Sequence, residues 1–561
     1  MNPGAWIDPA FLRALAAFAL NGSILALFGR AAARRLAPSP WIAATWVPLA
    51  AGAVTALCGY GVFWATFAAP LLGRAASLLL LLAAIIGNFR SPSPVAPGVR
   101  EWRATVGLQV AIGLFYLGLL YLFAVRMSFY DLTGNRWLAG MTSDNRLPYD
   151  FAARLYHGAS LKPFDGDWLS SDRPPLQAGW ELIAWPVTAA CGLDAEVASG
   201  TAALWFQLLW VPAAYGLFRS LGPSQARARA WTCALALSGF FLMHTTYTWP
   251  KLAAGGLVCG AFGLWVLPGP GRTSARAGAA GGALAALACL AHGGAMFSLL
   301  PLVPWAAWRC ARGEGAKWAA AAAVYLALML PWSAYQRFYD PPGNRLVKWH
   351  LAGQIPIDGR GTLQTLRESY RALSWDQIVA IRKENFRIQF LGDFSDLFHY
   401  SAHTTRDRSA AEFFYTARAL TWWPAGLVLL PVALLRRSGR RHLRDHRSAT
   451  LRLGAWTVAT LVAWCLLMFL PGQAIVHQGS FGAMIAGFVF LSAGMEAAGA
   501  WTLYLLIALQ SVTLATTWLG PTSVVHGRID LLAGTIALAA IAWFLHLSAL
   551  RDPPCPTPVP S

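Results

Sequence analysis

The stretch TSDNRLPYDFAARLYHG, Thr142 to Gly158, places Asp144, Asn145, Tyr149, Asp150 and His157 between strongly apolar runs, and SSDRPPL further on adds Asp172 and Arg173. A carboxylate at the mouth of a membrane cavity can take a proton from a hydroxyl or bind a cation. It can equally cap a turn or a helix. From Asp150 onward the stretch reads as a short amphipathic helix with Phe151, Leu155 and Tyr156 on one side. Asp150 is therefore expected to cap that helix, while residue types alone leave the role of Asp144 open. Between the two clusters, FDGDW supplies Asp165 and Asp167, an Asp-x-Asp pair suited either to a divalent cation or to an ordinary turn. Asp172 beside Arg173 can orient that arginine or bind a substrate.

A second group of residues is cationic. DPPGNRLVKWHLAG, Asp340 to Gly353, gathers Arg345, Lys348 and His350 around Trp349. TYTWPK ends in Lys251, LAHGG presents His292 beside two glycines, and VHQGS presents His477. Such groups can hold an anion, a lipid phosphate above all, at the membrane surface. The competing roles are snorkelling to water for Lys251 and Arg345 and a satisfied buried imidazole for His292.

The elements that must position these groups are membrane helices. The chain is 57% hydrophobic and 12% charged, where a soluble protein carries about a quarter charged residues; its mean hydropathy is +0.47. Long apolar runs recur from end to end, which makes an all-α polytopic membrane protein. The 27 Trp suit the lipid–water interface. About fifteen spanning segments are expected, centred near residues 20, 50, 77, 113, 208, 237, 259, 284, 302, 326, 428, 462, 489, 510 and 540. The first run, Phe11 to Phe28, is followed by GRAAARR and reads as a retained helix, not a cleaved signal. Segment 1–103 is an N-terminal transmembrane extension and 104–334 the core, including a first outer loop at 126–197. Residues 335–417 form a second outer loop, 418–549 the C-terminal helices, and 550–561 a Pro-rich disordered tail.

Arginines sort the loops. Arg30, Arg34, Arg35, Arg90, Arg100, Arg103, Arg219, Arg227, Arg229, Arg272, Arg276, Arg309, Arg312 and the run 436–447 fall on one side, which should be cytoplasmic. That parity puts the N-terminus outside and the C-terminus inside. It also accounts for the net charge of +19 without nucleic acid, for which no binding pattern exists. His157, His244, His292, His350, His399, His403, His477 and His526 then share the outer side, of 11 His in all. The eight Cys are scattered without a CxxC and read as small buried residues. Leu176 to Cys191 is apolar but short, and reads as an interfacial or re-entrant helix.

The pattern Asp144, Asn145, Tyr149, Ala153, Leu155, Gly158, followed by Arg173-Pro174-Pro175-Leu176, resembles the first outer loop of GT-C superfamily membrane glycosyltransferases. It looks most like the aminoarabinose-transferase and protein O-mannosyltransferase branch. Asn145 stands where an acidic residue is common in that family, and the 1–103 extension puts three helices before the one that usually precedes the motif. The resemblance implies a GT-C-like transmembrane bundle at a bacterial inner (plasma) membrane, with its active site on the periplasmic face. It implies an inverting transferase for cell-envelope glycan biosynthesis that moves a sugar from a polyprenyl-phosphate donor to a glycolipid, polysaccharide or protein acceptor. Asp144 would be the general base, and Asn145, Tyr149, Asp172, Arg173, Lys251, His292, Arg345, Lys348, His350 and His477 would bind substrate. A divalent cation would sit at Asp165 and Asp167. The alternative classes are a transporter or flippase of a lipid-linked saccharide and a polymerase or ligase of O-antigen type.

Overall fold

Apolar runs in lipid can satisfy their backbone only internally, so they close into helices. The computed structural model describes residues 7–89, 96–123, 126–138, 140–267, 274–390, 405–475, 481–522 and 524–549, and among these it contains helices and no strand. Among the described residues eight helices are long and apolar enough to cross a membrane: Pro9–Leu36, Ala44–Ala68, Pro70–Phe89, Pro97–Leu120, Ala195–Ser220, Leu302–Tyr339, Arg437–Leu467 and Phe481–Ala498. Shorter apolar helices cover Lys251–Trp265, Ala275–Ala291, Ala425–Leu435, Trp501–Thr517 and Leu531–Phe544.

Each apolar centre expected from the sequence falls on a helix or on a joint between two. Several of those helices are broken. Leu208 and Leu209 interrupt Ala195–Ser220, Leu237 and Ser238 part Gln225–Ala236 from Gly239–Thr246, and Arg312 and Gly313 leave helical geometry inside Leu302–Tyr339. Gly313 sits at φ 92°, a conformation glycine adopts without a Cβ clash. The proline-rich tail lies outside the described residues.

The first three helices share the core of the chain that follows. Pro9–Leu36 packs on Ala195–Gln207 and on Pro97–Leu120, and Ala44–Ala68 packs on Leu176–Ala190. That last pair meets at glycines: a Cβ added to Gly59 would come 2.9 Å from the backbone N of Trp180. Small residues let membrane helices approach this closely. Leu176–Ala190 is buried from Leu176 through Trp185 and contacts neighbouring helices on several sides, so it enters the protein and does not lie along its surface. Its polar residues find protein partners. Gln177 Nε2 donates to Glu181 Oε1 (3.1 Å) and to the Thr248 carbonyl (3.0 Å), Ser199 donates to Glu181, and Trp180 Nε1 donates to the Ala202 carbonyl at 3.0 Å.

The second large loop carries Arg345–Ala352, Thr362–Arg371 and Trp375–Arg387. It is fastened to the C-terminal end of Arg437–Leu467. Asn385 Nδ2 donates to the carbonyls of Cys465 (3.3 Å) and Met468 (2.8 Å), and Arg382 Nη1 to that of Met468 (2.6 Å).

Candidate active site

Asp144 lies in a 3-10 turn, Ser143–Asn145, which leads into the helix Leu147–His157. Pro148 occupies the first turn, where its missing N–H costs nothing, and Gly158 ends the helix at φ 68°. The apolar face is as expected: Phe151, Leu155 and Tyr156 are all buried. The helix nevertheless starts three residues earlier than the apolar spacing suggested, because proline fixes φ for a first turn. Asp150 is therefore inside the helix and caps nothing. It pairs with Arg146 at 3.2 Å, and burial pushes its carboxyl up against the opposing pull of that guanidinium.

Asp144 and Asn145 leave the turn in different directions. Asp144 Oδ1 accepts from Arg173 Nη2 at 2.9 Å. Asn145 is buried and donates to the Tyr130 carbonyl (3.2 Å) and to Thr133 Oγ1 (2.8 Å). Tyr149 is likewise a packing residue, with its ring 5.4 Å from that of Tyr130 and 5.8 Å from that of Trp185. Of these three motif residues, only Asp144 reaches the basic cluster.

Arg173 follows a second 3-10 turn, Ser170–Asp172, and precedes Pro174 and Pro175. Its guanidinium carbon lies 4.0 Å from the Trp168 ring centroid, a cation–π contact. Asp172 turns inward, accepts from the Leu169 N–H at 3.1 Å and meets Arg345 Nη1 at 3.4 Å. Arg345 is buried; it also donates to the Asp167 carbonyl (2.5 Å), the Asp167 carboxylate and the Ile355 carbonyl (3.0 Å). It thus joins the two large loops. Lys348 is buried too, with Nζ 2.6 Å from Asp358 Oδ1 and near the carbonyls of Asp358 and Arg360. Asp165 and Asp167 flank Gly166 (φ 52°) in a tight turn. Among the described residues no group of three or more His, Cys, Asp and Glu is placed to hold a metal ion.

Three further residues lie around the Asp144–Arg173 pair: Lys251 beside both members, His292 near Arg173 and Lys251, and His350 near Lys251 and His292. Lys251 begins the helix Lys251–Trp265, is 4% exposed, and holds its ammonium 3.2 Å from the Trp249 ring centroid. It is close enough to feel the charges of both Asp144 and Arg173. His292 ends the helix Ala275–Ala291, and its Nδ1 accepts from the Gly294 N–H at 3.1 Å. The neutral ring therefore carries its proton on Nε2. Burial, then Lys251, His350 and Arg173, hold this imidazole well below its usual range. His350 comes from the second loop. Burial and Lys251 lower it to about 4, and its backbone carbonyl accepts from the Phe469 N–H at 2.9 Å.

The structure thus brings together Asp144, Arg173, Lys251, His292 and His350, drawn from five separate segments. It sets Arg345, Lys348, Asp172, Asn145 and Tyr149 to tying and packing, and His477 lies outside the described residues. Three contributors were not singled out from the sequence. Tyr247 donates its hydroxyl to the Thr142 carbonyl, with the Thr142 hydroxyl 3.1 Å away, and so fixes the backbone beside Asp144. Trp168 and Trp249 supply the ring faces under Arg173 and Lys251. The sequence signal was present, since each of these tryptophans stands within five residues of a cation. No protein-family model, curated protein or solved structure matches the chain.

Proposed function

We propose that the chain is an inverting glycosyltransferase with a GT-C-like bundle of about fifteen spans. It transfers a sugar from a polyprenyl-phosphate donor to an acceptor at the outer face of a bacterial inner membrane. The observation that supports this most is the convergence on Asp144, the one carboxylate of the motif that is left facing cations. Asp144 takes the proton of the acceptor hydroxyl. The hydroxyl oxygen then bonds to the anomeric carbon from the side opposite the phosphate, and the bond from that carbon to the phosphate oxygen breaks. The electron pair leaves on the polyprenyl phosphate.

Arg173 and Lys251 neutralise that departing charge, each held over an indole face that limits its motion. His292, neutral at pH 7 with its proton on Nε2, donates a hydrogen bond without adding charge. His350 is neutral for the same reason. The cation expected at Asp165 and Asp167 has no part in this reading, because the Arg345 guanidinium already occupies the Asp167 carboxylate.

The test is incubation of the purified protein in nanodiscs with a panel of radiolabelled polyprenyl-phosphate sugars, beside Asp144→Asn. Sugar release or transfer by the wild type, lost in the variant while donor binding persists, is the expected result. Donor bound and carried across the bilayer with no bond broken would favour the transporter class.

A further inference from the structure

The run RRSGRRHLRDHR, residues 436–447, holds six arginines and one aspartate, and it lies far from the candidate active site. It opens the 31-residue helix Arg437–Leu467. At 1.5 Å per residue that helix is about 46 Å long, against a hydrocarbon layer of about 30 Å. Its first turns, polar and basic, therefore extend past the apolar part. Its other end carries the contacts to the second loop described above, so the arginines and the site occupy opposite ends of one rod. By loop charge, the arginine end is the cytoplasmic one.

Beside this basic end stands Ala425–Leu435, an apolar helix too short to cross. Between it, Arg437–Leu467 and Phe481–Ala498 lies a cavity of about 790 Å³. Leu427, Leu430, Leu434, Leu451 and Phe490 form its apolar wall. Leu427, Leu434 and Leu451 are 55%, 50% and 57% exposed, so that wall opens outward to the bilayer. Arg437, Arg440, Arg441, Arg444 and Arg447 line its basic side, and no acidic residue lines the cavity. Arg441 and Arg444 keep 79% and 78% of their side chains exposed, and Asp445 is 3.6 Å from each. Arg440 instead turns back to the carbonyls of Leu434 (2.8 Å) and Leu435 (3.2 Å), which holds the two helices together at the cavity rim.

We propose that this cavity binds an anionic glycerophospholipid, with acyl chains along the leucine wall and the headgroup phosphate on the arginines. Charge and shape together select this occupant. A soluble phosphate would meet the guanidiniums but leave the apolar wall bare. A zwitterionic lipid would cover the wall but bring its own cation to the arginine cluster. Basic pockets between helices at the cytoplasmic surface have this chemistry. The site does not depend on the transferase reading.

The test uses the full-length protein in detergent, titrated with phosphatidylglycerol and with phosphatidylcholine of the same chains, and read by native mass spectrometry. Phosphatidylglycerol adducts should persist at concentrations at least about tenfold below those needed for phosphatidylcholine. The triple variant Arg440→Gln, Arg441→Gln, Arg444→Gln should weaken phosphatidylglycerol binding roughly 100-fold, at about fivefold per arginine. Leu430→Trp, which fills the trough and leaves every arginine, should weaken it as well, and it carries the test if the triple variant does not fold. Water-soluble glycerophosphoglycerol should not compete. Equal binding of the two lipids would mean ordinary boundary lipid and would overturn the proposal. So would full competition by the soluble headgroup, which marks a free-anion site, or wild-type affinity in the variants.

Discussion

Replacing Asp144 by Asn tests the centre of the site in two ways. The Asp144–Arg173 contact is 2.9 Å long, between side chains that are 18% and 12% exposed. At an effective dielectric near 20 the gross attraction is about 4 kcal/mol. Desolvation of two largely buried groups offsets much of it, and a net coupling of about 1–2 kcal/mol remains, above the range of surface pairs and below that of sealed ones. A double-mutant cycle of Asp144→Asn and Arg173→Gln, read by thermal or chemical unfolding in one detergent, should return that coupling. In the transferase assay Asp144→Asn should lower turnover by about 100-fold or more, the usual worth of a positioned base, and change donor affinity by less than about threefold, since the cations remain. Coupling below about 0.3 kcal/mol would mean that the pair is a surface contact. Turnover above about a tenth of wild type would remove Asp144 as the base.

Other perturbations separate chemistry from scaffolding. Tyr247→Phe removes the hydroxyl that fixes Thr142 and should cost about 1 kcal/mol of stability, with turnover reduced more than donor affinity in the same transfer assay. Arg345→Gln strips a buried guanidinium from Asp172 and Asp167; it should destabilise by about 3–5 kcal/mol on a denaturation curve, so that its activity loss tracks loss of folded protein. His350 titrates at about 4 in the fold and near 6.5 when unfolded. The unfolded chain therefore binds more protons between those values, and stability should fall as pH drops from about 6.5 towards 4, by at most about 3 kcal/mol; melting temperatures at pH 7 and pH 5 should diverge less in His350→Gln. Gly179→Ala would press a methyl group onto the Gly59 carbonyl and should lower the yield of folded protein on size-exclusion chromatography, with overpacking worth about 1–3 kcal/mol.

The helices were legible because lipid leaves a long apolar run no other way to satisfy its backbone, and every expected centre lies on a helix or on a joint between two. Which helices are whole was not legible. The breaks at Leu208 and at Leu237 occur inside apolar sequence, where neighbouring helices decide the path, whereas the break at Arg312 falls where a basic loop was expected between the centres near 302 and 326. Leu176–Ala190 read as either interfacial or re-entrant; what carries it inward is that Glu181 and Gln177 find partners on other segments, which the local sequence does not show. At the site, Asp144, Arg173, Lys251, His292 and His350 were visible as charges next to helix ends. Arg345 and Lys348 looked equally promising, and nothing local announces that Asp167 and Asp172 claim the first while Asp358 claims the second. The turn that sends Asn145 away from Asp144 is set by a bond to Thr133, which no spacing rule marks.

The bond from the Phe469 N–H to the His350 carbonyl sets a time at which this protein becomes competent. Synthesis runs from the N-terminus, so Asp144, Arg173, Lys251 and His292, together with the first-loop carboxylates that hold Arg345, are in the membrane before the far side of the second loop can dock. The second loop gains its other anchor, at His350, Arg382 and Asn385, only when the chain around Met468 and Phe469 has been made and inserted. A nascent chain stopped short of residue 469 would carry the carboxylate and the cations but no closed outer wall. On the transferase reading, it would stay silent while still on the ribosome, and would therefore draw no lipid-linked donor before it is whole.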